Sequence, residues 1–224
     1  MRLISFLLTL ISLTAAAADQ APIRVVCVGD SITEGYGVVA SQAYPVRLQE
    51  LLGAGYEVKN CGMSGRTISS KSDSPYITLN LWKEAKDFHP QIAVIMLGSN
   101  DAKTANFVHA AELAGDLTAM VKELQGLTSK PQVVLCLPCV VLGAGNYDIN
   151  EDRLFKGIIP AVEAVAKDLK LPLIDIHGVT KVATDKDPSL IPDLVHPNGA
   201  GYALIAETVR DALVKLGQAD SKYK

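Results

Sequence analysis

The stretch VVCVGDSITEGYG, Val25 to Gly37, decides how the rest of the chain is read. An apolar run breaks into Gly-Asp-Ser and then turns polar, which is how a buried strand looks where it leaves a core. The run from Ile23 to Val28 suits a strand covered on both faces, because such strands lack the in-out alternation of a half-exposed sheet. Runs at Ile92 to Leu97 and Val133 to Leu137 have the same character, and Tyr56 to Asn60 and Leu173 to Ile176 are weaker candidates. Between them, apolar residues recur at helical spacing over Tyr44 to Leu52, Val108 to Leu124, Arg153 to Leu169 and Ala200 to Leu216, and Trp82 falls in a further helical stretch. Gly53, Gly126 and Gly217 stand just past three of these helix ends, where a left-handed residue is expected. Strands alternating with helices predict a three-layer α/β/α sandwich around a mainly parallel sheet.

In such folds functional groups collect beyond the carboxyl ends of the strands. The residues found there are Gly29-Asp30-Ser31, Gly62-Met63-Ser64-Gly65, Gly98-Ser99-Asn100-Asp101, the loop from Pro138 to Asn150, and Asp193 with His196. Each cluster alone reads as a cap or a turn. Together they supply what acyl transfer needs: a nucleophile, a base, a group to orient the base, and donors for the oxyanion. Ser31 is the candidate nucleophile, with its own N–H as one donor, and Gly35 allows a sharp turn after it. His196 is the candidate base, since imidazole titrates near neutral pH. Asp193 precedes it by three residues between Pro192 and Pro197, so the two can share a turn in which the carboxylate fixes the ring tautomer. His89 and His109 compete poorly by position, whereas His177, following the fifth strand, is not dismissed by position alone. The Gly62 N–H and the Asn100 side-chain amide are the other candidate oxyanion donors. Arg66, Tyr76 and Tyr147 are candidate substrate contacts, because they fall in or beside the segments expected to line the cleft. Trp82 is read as core.

The 224 residues are 49% hydrophobic and 20% charged, enough for one sizeable core and no second domain. A net charge of -3 without basic runs argues against a nucleic-acid partner. Residues 1–18 combine an early Arg2, an apolar core from Leu3 to Leu13 and a small-residue end at Ala16 to Ala18, the pattern of a cleaved signal peptide. That core is too short to span a bilayer comfortably. The expected mature domain is 19–224, secreted or periplasmic. Cys27, Cys61, Cys136 and Cys139 lie in or at the ends of apolar runs and read as packed thiols. Neither HExxH, a P-loop nor GxGxxG is present, so no metal and no cofactor is implied. Oligomeric state leaves no mark on this pattern.

GDSITEGYG, NCGMSG, GSND and DLVHPNGAGY, in that order, resemble the four sequence blocks of the SGNH hydrolase, or GDSL esterase, family. The likeness spans nearly the whole mature chain, and Thr33 two residues after Ser31 departs from the G-x-S-x-G elbow of α/β-hydrolases. The resemblance implies a flavodoxin-like five-stranded sheet of order 2-1-3-4-5. It implies Ser31, Asp193 and His196 as the triad and Ser31, Gly62 and Asn100 as the oxyanion hole. Asp30 is then expected to hold the nucleophile turn, and Asp101 to support the Asn100 loop. The expected activity is hydrolysis of acetyl or other short acyl esters, with resemblance to exported bacterial sialate or glycan O-acetylesterases. A lysophospholipase, thioesterase or arylesterase of the same family is the alternative, and a non-catalytic α/β binding module is the alternative of another class.

Overall fold

The computed structural model describes residues 21–221, so the expected leader at 1–18 lies outside the described residues. Five strands, β1 (Ile23–Gly29), β2 (Tyr56–Gly62), β3 (Ile92–Met96), β4 (Gln132–Cys136) and β5 (Leu173–Ile174), form one sheet of order β2-β1-β3-β4-β5. Every pairing is parallel. The helices are α1 (Ser31–Glu34), α2 (Tyr44–Leu52), α3 (Asn80–Asp87), α4 (Thr104–Phe107), α5 (Leu113–Gln125), α6 (Glu151–Arg153), α7 (Ile159–Asp168), α8 (Ile176–Thr184) and α9 (Gly199–Ser221). A π-helical turn, Leu154–Ile158, joins α6 to α7.

Side-chain alternation along each central strand feeds two cores. Val26, Val28, Ala93, Ile95, Val133 and Leu135 pack with α3, α5 and α7, while Val25, Cys27, Val94, Met96, Val134 and Cys136 pack with α2 and α9. This is the expected three-layer sandwich, and it explains why these strands read as unbroken apolar runs. The edge strand β2 is mostly half-buried, which weakens its signal. β5 stops after two residues because Asp175 caps α8, its side chain accepting from the Gly178 N–H at 2.7 Å. The helix expected from Val108 starts only at Leu113, since Val108 is exposed and the core-facing stripe begins with Leu113. His109 consequently lies in a turn rather than a helix.

Of the three glycines expected to be left-handed, only Gly53 has positive φ, at 73°. Gly126 stays right-handed, its N–H bonded to Lys122 O, and Gly217 lies inside α9, which runs on to Ser221. All four cysteines are free and buried, Cys136 and Cys139 included. Burial pushes the Cys27 and Cys139 thiols up to about 12, so they pack rather than react. Among the described residues, no helix is long and apolar enough to cross a membrane.

Candidate active site

The parallel register brings the carboxyl ends of three strands level, with Gly29 opposite both Gly62 and Met96. Ser31 therefore opens α1 directly above β1. Asp30 is the N-cap of that helix, its Oδ1 accepting from the Ile32 N–H at 3.0 Å. Gly35 closes it in the left-handed conformation, with φ 95°. So short a helix leaves the Ser31 N–H among the first-turn donors that have no intrahelical partner.

From the far end of the chain, the Asp193–His196 turn reaches the same point. Ser31 Oγ lies 2.8 Å from His196 Nε2, and His196 Nδ1 lies 2.7 Å from Asp193 Oδ2. Asp193 Oδ1 also accepts from the His196 and Val195 amides at 2.6 and 3.0 Å. Burial alone would raise this carboxyl, but the His196 amide and ring and the Val195 amide outweigh it and hold the pKa below the ordinary value. Leu194 takes φ 70° to close the turn, a conformation costly for a side chain of its size. Ser31 and His196 are each 6% exposed, so the pair is shielded yet open to the cleft.

A cavity of about 140 Å³ adjoins this pair, lined by Ser31, Tyr36, Ser64, Gly65, Asn100, Lys103, Tyr147, Ile149 and His196. Asn100 is held from two sides. Its Nδ2 donates to Arg66 O at 3.1 Å, which leaves the second amide hydrogen of that group, and its carbonyl accepts from Asn106 Nδ2 at 3.0 Å. Asp101 accepts the Ile68 and Ser69 amides at 2.9 Å each, tying the loop after β2 to the Asn100 turn. Burial pushes Asp101 up to about 6 and Asp30 to about 7, above what their amide partners restore.

Gly62 does not join the cleft, contrary to the sequence expectation. Its N–H is spent on Asn60 Oδ1 at 2.8 Å, and it is absent from the lining. Its lack of a side chain serves packing instead: a Cβ there would meet Glu34 N at 2.1 Å and Thr33 C at 2.4 Å. Gly65 lines the cleft in its place, with φ 81° and an N–H that donates to no acceptor among the described residues. Glu34 fixes this turn by accepting the Ser64 N–H at 2.7 Å. The Ser64-Gly65 pair is itself a turn dipeptide, a signal that already favoured Gly65 over a glycine still inside the strand.

The other expected contacts divide. Tyr147 lines the cleft, its ring 5.3 Å from the His196 ring, and Tyr36, which sequence reading passed over, lies 4.4 Å from it. Tyr76 is fully buried against Trp82, its hydroxyl donating to Cys61 O, so it belongs to the core. Arg66 turns its guanidinium to Ser74 Oγ and does not line the cleft. Trp82 is core, as expected, with Nε1 donating to Glu123 Oε2 at 2.9 Å. His177 pairs with Glu151 at 2.7 Å and has no contact with Ser31.

The sequence profile of the GDSL-like lipase/acylhydrolase family matches residues 27–204. The chain belongs to that family. Membership places this GDSL protein among carboxylic ester hydrolases. It is 35% identical over 216 residues to an acetylxylan esterase of Xylanibacter ruminicola, covering 88% of this chain but only 44% of that protein. It is 26% identical over 215 residues to thioesterase 1/protease 1/lysophospholipase L1 of Escherichia coli K12, covering 96% of this chain and 92% of that one. A lipase/acylhydrolase from Enterococcus faecalis has a similar structure, with a TM-score of 0.71 at 25% identity over 84% of this chain and 94% of the other. The sheet order of this chain, β2-β1-β3-β4-β5, is the one expected of it.

Proposed function

We propose that this GDSL protein is an exported serine esterase that removes acetyl or another short acyl group from a carbohydrate. The reading rests on one observation above others, the Ser31–His196–Asp193 hydrogen-bond chain beside the cavity. Ser31 Oγ attacks the ester carbonyl, forming an Oγ–C bond as its proton passes to His196 Nε2, while Asp193 holds the Nδ1 proton and the ring tautomer. The N–H groups of Ser31 and Gly65 and the Asn100 amide meet the oxyanion. Collapse breaks the bond to the sugar oxygen, which takes the proton from His196. A water, deprotonated by His196, then attacks the acyl carbon, and the Oγ–C bond breaks, releasing the acid as Ser31 Oγ takes the proton back from His196.

The carbohydrate part is supported by Tyr36 and Tyr147, which are 44% and 50% exposed beside His196 and offer apolar ring faces with polar tips to a sugar. A cavity of about 140 Å³ suits a small acyl group, and the Xylanibacter relative is named for acetylxylan. Export is supported by the leader pattern at 1–18. A thioesterase or lysophospholipase is the second reading, favoured by the E. coli relative's match over 92% of its own length.

Ser31→Ala should abolish hydrolysis of p-nitrophenyl acetate and of acetylated xylo-oligosaccharides and leave thermal unfolding nearly unchanged. Retained turnover in that variant would sink the serine mechanism. A rate that rises with acyl-chain length from acetyl to palmitoyl would favour the second reading.

A further inference from the structure

We propose that Lys103 makes the cleft selective for esters carried by a carboxylate-bearing sugar, such as a uronic acid. This rests on the esterase reading above and specifies the substrate class of the same site. Lys103 lines the cleft beside Ser31 and Asn100, and it is the one lysine or arginine among the described residues that do so. Its backbone is anchored on three sides. The N–H donates to Asn100 O at 3.3 Å, the carbonyl accepts from Phe107 N–H at 2.8 Å, and the residue bridges Ile149 of the facing loop. The ammonium therefore rides on the turn that positions the Asn100 amide.

Carboxylates of this turn and of the segments around it hold other partners. Asp101 holds the Ile68 and Ser69 amides, Asp148 holds Thr104 and Arg153, Asp73 accepts from Asn106, and Asp193 holds His196. Among the described residues, no carboxylate lies within ion-pair distance of the Lys103 ammonium. An unpaired cation in a cleft of a chain with net charge -3 is a site for a substrate anion. Lys103 is half-buried, a setting in which the aliphatic stem of a lysine packs while its ammonium stays in water. The sugar that leaves is the part of the ester that extends toward that water, whereas the acyl group stays on Ser31.

The test compares kcat/KM for an acetylated xylo-oligosaccharide bearing a glucuronate branch with that for its neutral counterpart. The ratio should favour the acidic substrate in the natural protein and fall roughly ten-fold in Lys103→Met, the scale of one charge-assisted hydrogen bond partly screened by water. Lys103→Arg should retain the preference, Lys103→Glu should reverse it, and raising salt should erode it in the natural protein. An unchanged ratio in Lys103→Met overturns the proposal, and so does a proportional fall on both substrates. Lys103-dependent preference for a hemisuccinate ester of a neutral sugar would put the carboxylate on the acyl side and overturn the assignment to the sugar. Calorimetric titration with the deacetylated glucuronate oligosaccharide reads the same charge without turnover. Weaker binding to Lys103→Met than to the natural protein supports the proposal even if the esterase reading fails, and equal binding refutes it.

Discussion

Replacing Gly62 with alanine separates a packing role for this residue from a role as oxyanion donor. The added Cβ would sit 2.1 Å from Glu34 N and 2.4 Å from Thr33 C, both backbone atoms of α1 that cannot rotate away. Restoring ordinary van der Waals separation moves β2 and α1 apart by more than roughly 1 Å. Overpacking of this kind costs about 1–3 kcal/mol. For a chain of this size that is a fall in Tm of roughly 2–12 °C. Since α1 begins at Ser31, the same shift moves Oγ against His196, and a displacement near 1 Å costs roughly 10²-fold in rate. Thermal unfolding and p-nitrophenyl acetate kinetics on the purified variant give both numbers. Wild-type Tm together with wild-type kcat would refute the packing argument. A large loss of kcat at unchanged Tm would return the Gly62 amide to a direct part in the chemistry.

Asn100→Ala should lower kcat by roughly 10²–10³-fold with a much smaller change in KM, the loss typical of one oxyanion donor, measured on the same ester. Tyr76→Phe should cost about 1 kcal/mol of stability through its lost hydrogen bond to Cys61 O. It should leave KM for every ester alone, and a changed KM would put the ring back in the cleft. Burial raises Asp30 from 3.8 to about 7 in the folded protein. The native state thus holds a proton that the unfolded chain releases, and stability falls as pH rises from about 4 to 7, by at most about 4 kcal/mol. Asp30→Asn keeps a capping oxygen and has no proton to lose, so its denaturation midpoint should vary less than the natural protein's across that window. Parallel pH profiles for the two proteins would contradict the assignment.

Local pattern carried the fold a long way, because the physics behind it is local. Val25, Cys27, Val94 and Met96 on one face and Val26, Val28, Ala93 and Ile95 on the other are apolar since both faces of the sheet are covered. The Asp193–His196 spacing was legible for the same reason, as one short turn brings the two side chains together. Helix ends were less legible. Gly217 looked like a terminator and is helical, because packing of Ile205, Val209 and Leu213 against the sheet carries α9 through it.

What sequence by itself determined was therefore the layer order, the strands buried on both faces, and the residue types that meet at the carboxyl edge of the sheet. Only the tertiary structure decided which glycine faces the cleft, since that turns on Asn60 occupying one amide and on Glu34 and Thr33 pressing against one Cα. It alone decided that Tyr76 belongs to the core while Tyr36 and Lys103 line the cleft. Each of those outcomes depends on contacts between distant segments, and no periodicity along the chain encodes which amide, ring or charge such a contact leaves unspent.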